Sequence, residues 1–146
     1  MNLIYLCAAL AIILPGVGVS IGQANLVRTS ITLMGKNPSL SNFFLVVTIL
    51  GLAIIESIAI YGLLIALNIL GQTGLDPSKA LSAALTIGIT GFGVGFLEGP
   101  VVSVALEAMN RNPATKGSVL AFMILFLALI EVVAIYGLII ANKILA

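Results

Sequence analysis

Two glutamates lie inside long apolar segments of the chain, and the residues around them repeat. Glu56 stands in the string LAIIESIAIYG, and Glu131 stands in LALIEVVAIYG. At an offset of 75 residues, positions 52–70 and 127–145 agree at 13 of 19 places. A charged carboxylate near the centre of a bilayer costs about 2.5–3.5 kcal/mol even on lenient scales. Because the sequence places this costly group twice, we expect both carboxylates to carry the function.

The first glutamate has a polar partner at a similar depth on the preceding helix. Gln23 lies 15 residues before Pro38, and Glu56 lies 18 residues after it. At 1.5 Å per residue these separations are about 22 and 27 Å along the two helices. An ionised glutamate in this setting needs a proton or a cation. Oxygen ligands suit hard cations, and this repeat offers the Gln23 amide, the Glu56 carboxylate and the Ser57 hydroxyl.

The second repeat keeps this spacing but changes one partner. Glu98 lies 15 residues before Pro113, and Glu131 lies 18 residues after it. Hydrogen bonding between helices would be enough to explain a single intramembrane glutamine. A matched pair that occurs twice favours a binding site instead. Since no nucleophile–base pair accompanies these residues, the pattern indicates a reversible ion carrier.

The composition is that of an integral membrane protein. Of the 146 residues, 61% are hydrophobic and only 8% are charged, whereas soluble domains are about 25% charged. The net charge of +1 and the lack of a basic tail argue against nucleic acid as a partner. Cys7 is the single cysteine and histidine is absent, which excludes disulfide frameworks and Cys/His metal sites.

Four apolar segments predict four long transmembrane helices, since each exceeds the roughly 20 residues that cross a bilayer. They span 3–34, 42–71, 79–109 and 117–145. The uncharged N-terminal stretch is interpreted as a mature first helix rather than a leader. Polar turns at 35–39 and 110–114 join the helices in pairs, with Ser and Thr residues expected to cap the following helix. The predicted fold is therefore all-α and transmembrane, with two tandem parallel-repeat hairpins at 1–72 and 73–146.

Basic residues favour one orientation in the membrane. Arg28, Lys36, Arg111 and Lys116 lie on or near the two polar turns, whereas Lys79 and Lys143 lie on the other side. The positive-inside rule then places both turns in the cytoplasm and both termini outside. The expected location is a prokaryotic cell membrane.

Small residues recur along the first helix of each hairpin. Such residues let helix backbones approach closely in a membrane, and no Gly-Lys-Ser/Thr element follows them to suggest a phosphate loop. We therefore predict helix packing at Gly16, Gly18, Gly22, Gly91, Gly93 and Gly95.

Together these motifs resemble the rotor-ring component of rotary ATPases, which is the c subunit in the F-type and the proteolipid or K subunit in V/A-types. The resemblance rests on the glycine-rich first helix of each hairpin, the Lys/Arg-Asn-Pro turns, and the glutamate helix followed by Ala-Ile-Tyr-Gly. The chain resembles two F-type-like hairpins fused in tandem. The sequence leaves open whether the complex is F-type or V/A-type.

The resemblance implies roles for individual residues. Glu56 and Glu131 match the essential ion-carrying carboxylate of the family. Gln23 and Ser57 match the signature of its sodium-binding members, which implies that the protein carries Na⁺, with H⁺ as the alternative. The remaining positions implied at the sites are the Ile54 carbonyl, Tyr61, Leu129, Tyr136 and Glu98, with Val132 in the place of the serine.

Two arrangements of these residues remain open. Sites form either within each hairpin or between neighbours. In the second case Glu98 joins Glu56 and Ser57, and this site alternates with one made of Gln23, Glu131 and Val132.

The resemblance also implies partners. Identical subunits would form a ring in membrane lipid and rotate against a stator component that bears an arginine. Central-stalk subunits would contact the turn residues Lys36, Asn37, Pro38, Arg111, Asn112 and Pro113. The chain itself would not be an enzyme. Rival interpretations are a small secondary transporter or channel with an intramembrane carboxylate relay, and a structural scaffold.

Overall fold

The computed structural model describes residues 3–146 and consists of four long helices in two hairpins. They are α1 (Leu3–Lys36), α2 (Ser41–Gly71), α3 (Pro77–Arg111) and α4 (Lys116–Leu145), with single 3₁₀ turns at Pro38–Leu40 and Pro113–Thr115. Residues 3–146 contain no strand. The predicted all-α fold class of four transmembrane helices is confirmed.

Each helix is long and apolar enough to cross a bilayer. Counted with their 3₁₀ turns, the four candidate spans are 33 to 35 residues long, and their mean hydropathy is between 1.8 and 2.8. A helix of about 20 residues already spans the hydrocarbon core. The helices therefore extend beyond the core toward the headgroups, as the segment lengths predicted.

The two polar turns are shorter than predicted, and their caps differ. Helix α1 continues through Lys36 and α3 through Arg111, so that a single asparagine separates each helix from the 3₁₀ turn that follows. Asn112 Oδ1 accepts a hydrogen bond from the Ala114 amide at 3.2 Å. No Ser or Thr side chain caps α2 or α4. The prediction of hydroxyl caps was therefore wrong, because the chain turns at the asparagines that precede the prolines.

Helices α1 and α3 pack most extensively against each other, with α2 and α4 on the same side as a second layer. Glycines permit this contact. A Cβ on Gly99 would lie 2.6 Å from Cα of Gly22, and one on Gly95 would lie 2.8 Å from the Val19 amide nitrogen. Gly18 likewise faces the Phe92 backbone. Close approach of these two helices therefore depends on the missing side chains.

The glycine prediction holds for part of the set only. Gly18, Gly22, Gly91 and Gly95 lie at contacts between helices, whereas Gly16 and Gly93 face open space within this chain. Gly99, which the small-residue pattern did not predict, has the closest contact of all. Leu97 interrupts the alternation of glycines at positions 91, 93 and 95, and so Gly99 escaped the pattern.

Two apolar clusters follow one another along the bundle axis. One is centred on Leu26, Phe44 and Leu106 toward the polar turns, and the other surrounds Ile65 and Ala83 toward the termini. Tyr61 packs against both clusters. The level of Tyr61 is therefore the junction between the clusters, and the polar residues described below are found there.

The linker between the hairpins covers only residues 72–76, and its own residues fix the backbone conformation there. Gly74 has φ +74°, a conformation that favours glycine. Asp76 caps α3 by accepting a hydrogen bond from the Ser78 amide at 2.7 Å. This bond, with the Ser78 hydroxyl and Lys79, lowers the pKa of Asp76.

Candidate ion-binding site

Glu131 accepts hydrogen bonds from two hydroxyl groups of the other hairpin. Its Oε1 accepts a hydrogen bond from Ser57 Oγ at 2.5 Å and another from the Tyr61 hydroxyl at 2.7 Å. Both donors lie on α2, and they share a face because residues four apart on a helix are neighbours. The contact therefore joins the glutamate of the second hairpin to the α2 helix of the first.

Ser57 has more acceptors within reach than it can satisfy. Its hydroxyl lies 2.8 Å from the Ile54 carbonyl oxygen as well as beside Glu131, but it carries only one proton. The Ile54 carbonyl, Ser57 Oγ and Glu131 Oε1 thus form a group of oxygens around a single serine proton. Such a group attracts a cation or an additional proton.

A second carboxylate faces the same place. Glu98 on α3 is fully buried, and neither of its oxygens has a hydrogen-bond partner among residues 3–146. Glu98 interacts electrostatically with both Glu131 and Tyr61. A buried carboxylate without partners is strongly disfavoured. Glu98 and Glu131 therefore interact at this level of the bundle, and two positive charges, as protons or cations, are required to neutralise both carboxylates.

The position of Glu98 follows from the glycine packing. It lies between Gly95 and Gly99, the two residues at which α3 approaches the α1 backbone most closely. This approach buries Glu98 together with the two glycines, whereas Phe96 and Leu97 of the same turn face outward. Pro100 lies within α3, and the helix continues through it to Arg111.

Glu56 has a different environment on another face of α2. Gln23 Nε2 donates a hydrogen bond to Glu56 Oε2 at 2.7 Å and lies 3.5 Å from the Leu52 carbonyl oxygen. Glu56 is exposed within the single chain. Because adjacent helical residues point about 100° apart, Glu56 faces away from the second hairpin while Ser57 faces toward it.

The structure combines features of the two arrangements left open by the sequence. The amide–carboxylate pair Gln23–Glu56 lies within one hairpin, and Glu98 and Glu131 also belong to one hairpin. Ser57, in contrast, contacts the neighbouring hairpin, where it lies with Glu98 and Glu131. The glutamate to which it donates is Glu131, whereas the between-hairpin alternative predicted Glu56.

The remaining residues predicted for the sites lie on α4. Leu129 is 60% exposed and Tyr136 is 62% exposed, whereas their counterparts in the first repeat, Ile54 and Tyr61, are partly buried. Val132 is half-buried. This face of α4 is open.

The predicted stalk-contact residues lie together at the end of the bundle that carries both polar turns. Apart from the half-buried Asn37, they are exposed. A groove of about 380 Å³ between α1 and α3 at this end is lined by Arg28, Lys36, Glu107 and Arg111, among others. Arg111 forms an exposed ion pair with Glu107 at 3.6 Å. This end is therefore polar and mostly basic.

Within residues 3–146 there is no cluster of three or more Asp, Glu, His or Cys side chains. The candidate site instead offers two carboxylates with neutral hydroxyl and carbonyl oxygens. Oxygen donors of this kind suit hard cations rather than transition metals.

Comparison with known proteins identifies the family. The family model for the C subunit of ATP synthase matches residues 6–69 and, a second time, residues 81–142. The ATP synthase c subunit of Protochlamydia amoebophila (strain UWE25) is 44% identical over 66 residues, which cover 45% of this chain and 67% of the relative. That of Thermosynechococcus vestitus is 38% identical over 67 residues, covering 46% of this chain and 82% of the relative.

Each such relative thus corresponds to about one hairpin of this chain. A third, from Dehalococcoides mccartyi (strain CBDB1), is 41% identical over 66 residues, covering 45% of this chain and 87% of the relative. The two family matches follow the internal repeat and leave only the ends and the linker region uncovered. The chain therefore belongs to the ATP synthase c-subunit family, in a form that carries two tandem copies of the family unit.

Proposed function

We propose that this chain is the Na⁺-carrying rotor subunit of a membrane ATP synthase and that several copies form a ring. The observation that carries the proposal is the oxygen cluster at Glu131. It combines two carboxylates with the Ser57 and Tyr61 hydroxyls and the Ile54 carbonyl at one level between the apolar clusters. As a member of its family, the chain is a membrane ion-carrying subunit and is not catalytic by itself.

Charge balance leaves room for sodium at this site. Two ionised carboxylates would leave two negative charges in an apolar environment, which is strongly unfavourable. One shared proton and one Na⁺ make the cluster neutral. The neutral oxygens of Ser57 and Ile54 complete a shell of hard ligands.

The hydroxyl contacts also supply a way to hold and release the ion. While Ser57 and Tyr61 donate to Glu131, the carboxylate is fixed against α2 and the ion travels with the ring. An arginine on a stator component would compete for Glu131, and the ion would then leave into an aqueous channel. The membrane potential contributes about 2.3 kcal/mol per charge per 100 mV to this cycle.

The two ends of the bundle fit different partners. The end with the polar turns carries Lys36 and Arg111 and is proposed to lie in the cytoplasm, where central-stalk subunits would bind it. The termini then lie outside a prokaryotic cell membrane. The apolar outer faces of α2 and α4 would contact lipid.

Carbodiimide labelling of purified rings tests the ion. The reagent modifies protonated carboxyls, and mass spectrometry of the two repeats distinguishes Glu131 from Glu56. We expect Na⁺ to slow modification of Glu131 at constant pH, while K⁺ at the same ionic strength does not. Glu107, which is exposed at the basic end, serves as an internal control that sodium should not affect.

Two results would contradict this assignment. Protection of Glu131 by rising pH alone, with no effect of Na⁺, would make the protein a proton carrier. Ion transport by a purified monomer would instead favour a small secondary transporter or channel. The scaffold interpretation fails if Glu131 or Glu56 reacts with the reagent in a sodium-dependent way.

A further inference from the structure

The internal repeat relates the contact between hairpins to a surface that is open in one chain. Within the chain, Ile54, Ser57 and Tyr61 of α2 face Glu131 of the following hairpin. An offset of 75 residues maps them onto Leu129, Val132 and Tyr136 of α4. If the relation between hairpins continues, these residues face the glutamate of the next hairpin, which is Glu56 of a second copy.

Both halves of this second contact are exposed. Leu129 and Tyr136 are 60% and 62% exposed, and Glu56 is exposed with Gln23 as its hydrogen-bonding side chain. These two exposed surfaces, one on each hairpin, lie on opposite sides of the hairpin pair. A second copy of the chain therefore completes each of them with the complementary half.

On the basis of the proposed function, we propose that a ring of this chain alternates two chemically different ion sites. The within-chain site consists of Glu98, Glu131, Ser57 and Tyr61. The between-chain site consists of Gln23 and Glu56 with Tyr136 of the preceding copy. The first binds Na⁺ at concentrations at which the second is still occupied by a proton.

The difference follows from the ligands. In the between-chain site, Val132 places methyl groups where Ser57 provides a hydroxyl oxygen, so one ligand is lost. Gln23 also replaces Glu98, which removes one negative charge. A single proton neutralises Glu56, whereas the double carboxylate needs two positive charges, of which Na⁺ can supply one. Sodium affinity is therefore expected to be at least about tenfold lower at Glu56 than at Glu131, or about 1.4 kcal/mol.

Carbodiimide labelling of the intact ring, measured separately at Glu56 and Glu131 over a Na⁺ titration at fixed pH, tests the difference. We expect two protection midpoints, with that of Glu131 at least tenfold lower. Ser57→Val should raise the Glu131 midpoint and leave that of Glu56 unchanged. Val132→Ser should lower the Glu56 midpoint, and this gain cannot result from misfolding.

Each outcome has a distinct meaning. Equal midpoints in the unmodified ring would overturn the inference while leaving a sodium rotor in place. A response of Glu56 to Ser57→Val would overturn the assignment of the serine to Glu131. Absence of sodium protection at both glutamates would overturn both this inference and the proposed function. Migration of each variant as an intact ring on a gel shows that assembly is preserved.

Discussion

At the residue scale, the central finding is that neighbouring residues of one helix serve different carboxylates. Glu56 is bonded to Gln23 on one side of α2, and Ser57 is bonded to Glu131 on the other. Substitutions at adjacent positions should therefore affect different sites. Single-residue measurements can separate the two environments without disrupting the bundle.

Tyr61→Phe should weaken sodium binding at Glu131. The substitution removes the hydroxyl that donates to Glu131 at 2.7 Å, while the aromatic side chain still packs against both apolar clusters. A hydrogen bond to a charged group is worth about 1.5–3 kcal/mol, so the Na⁺ midpoint for protection of Glu131 should rise about tenfold or more.

Tyr136→Phe is the matched control for this prediction, because Tyr136 occupies the same place in the repeat and does not contact Glu131. It should leave labelling of Glu131 unchanged. A Glu131 midpoint that is the same in Tyr61→Phe and in the parent protein would contradict the role assigned to the hydroxyl.

At the element scale, the buried glutamate depends on close packing of α1 and α3. The helices meet where Gly22 faces Gly95 and Gly99. Since the atoms that a new side chain would meet are backbone atoms, neither helix can accommodate a Cβ without moving. The site and the packing are therefore coupled.

Gly99→Ala should destabilise the ring by more than about 1–3 kcal/mol, the usual cost of overpacking, and should lower the temperature at which it dissociates on a gel. Gly117→Ala is the control, since nothing lies within 4 Å of a Cβ there and alanine favours helix. A Gly99→Ala ring as stable as the parent would show that the helices have room to separate.

The start of α3 should depend on pH through its cap. Because the folded-state pKa of Asp76 is lowered, its contribution to stability is present above its ordinary value and is lost as pH falls through the lowered value. Hydrogen exchange of the first-turn amides, corrected for intrinsic rates, should therefore accelerate below about pH 4.

Asp76→Asn retains an acceptor for the Ser78 amide but cannot be protonated in this range. First-turn exchange in this variant should be independent of pH once intrinsic rates are corrected. If it shows the same acid-dependent acceleration as the parent, another group is responsible.

At the scale of the whole molecule, the sequence predicted the architecture well but not the pairing across the hairpins. Hydropathy and the polar turns were sufficient for four helices, because long apolar segments have few alternatives in a membrane. The spacing from the prolines placed Gln23 with Glu56. The crossing of Ser57 to Glu131 depends on how one hairpin is rotated against the other, and a single helix position changes that direction by about 100°.

Crosslinking tests the continuation of the repeat into a ring. Asn68 Nδ2 donates to Asn142 Oδ1 at 3.1 Å within the chain. The same relation, shifted by 75 residues, pairs Lys143 of one copy with Leu67 of the next. With Cys7 replaced by serine, a short bismaleimide should link Leu67→Cys to Lys143→Cys between chains and produce a ladder of multimers.

The control for this experiment is the pair Asn68→Cys and Asn142→Cys. These two cysteines should be linked within one chain, so that the product keeps the mass of a single chain. A ladder from the control pair, or none from the test pair, would contradict the proposed succession of hairpins.

The five-residue linker has a consequence for the arithmetic of energy conversion. Because residues 72–76 tie two glutamate-bearing hairpins into one chain, a ring built from this chain alone contains an even number of hairpins. The number of ions moved per revolution can then change only in steps of two when a copy is added or lost. The number of ions moved per nucleotide turned over can accordingly take fewer values than in a ring of single hairpins.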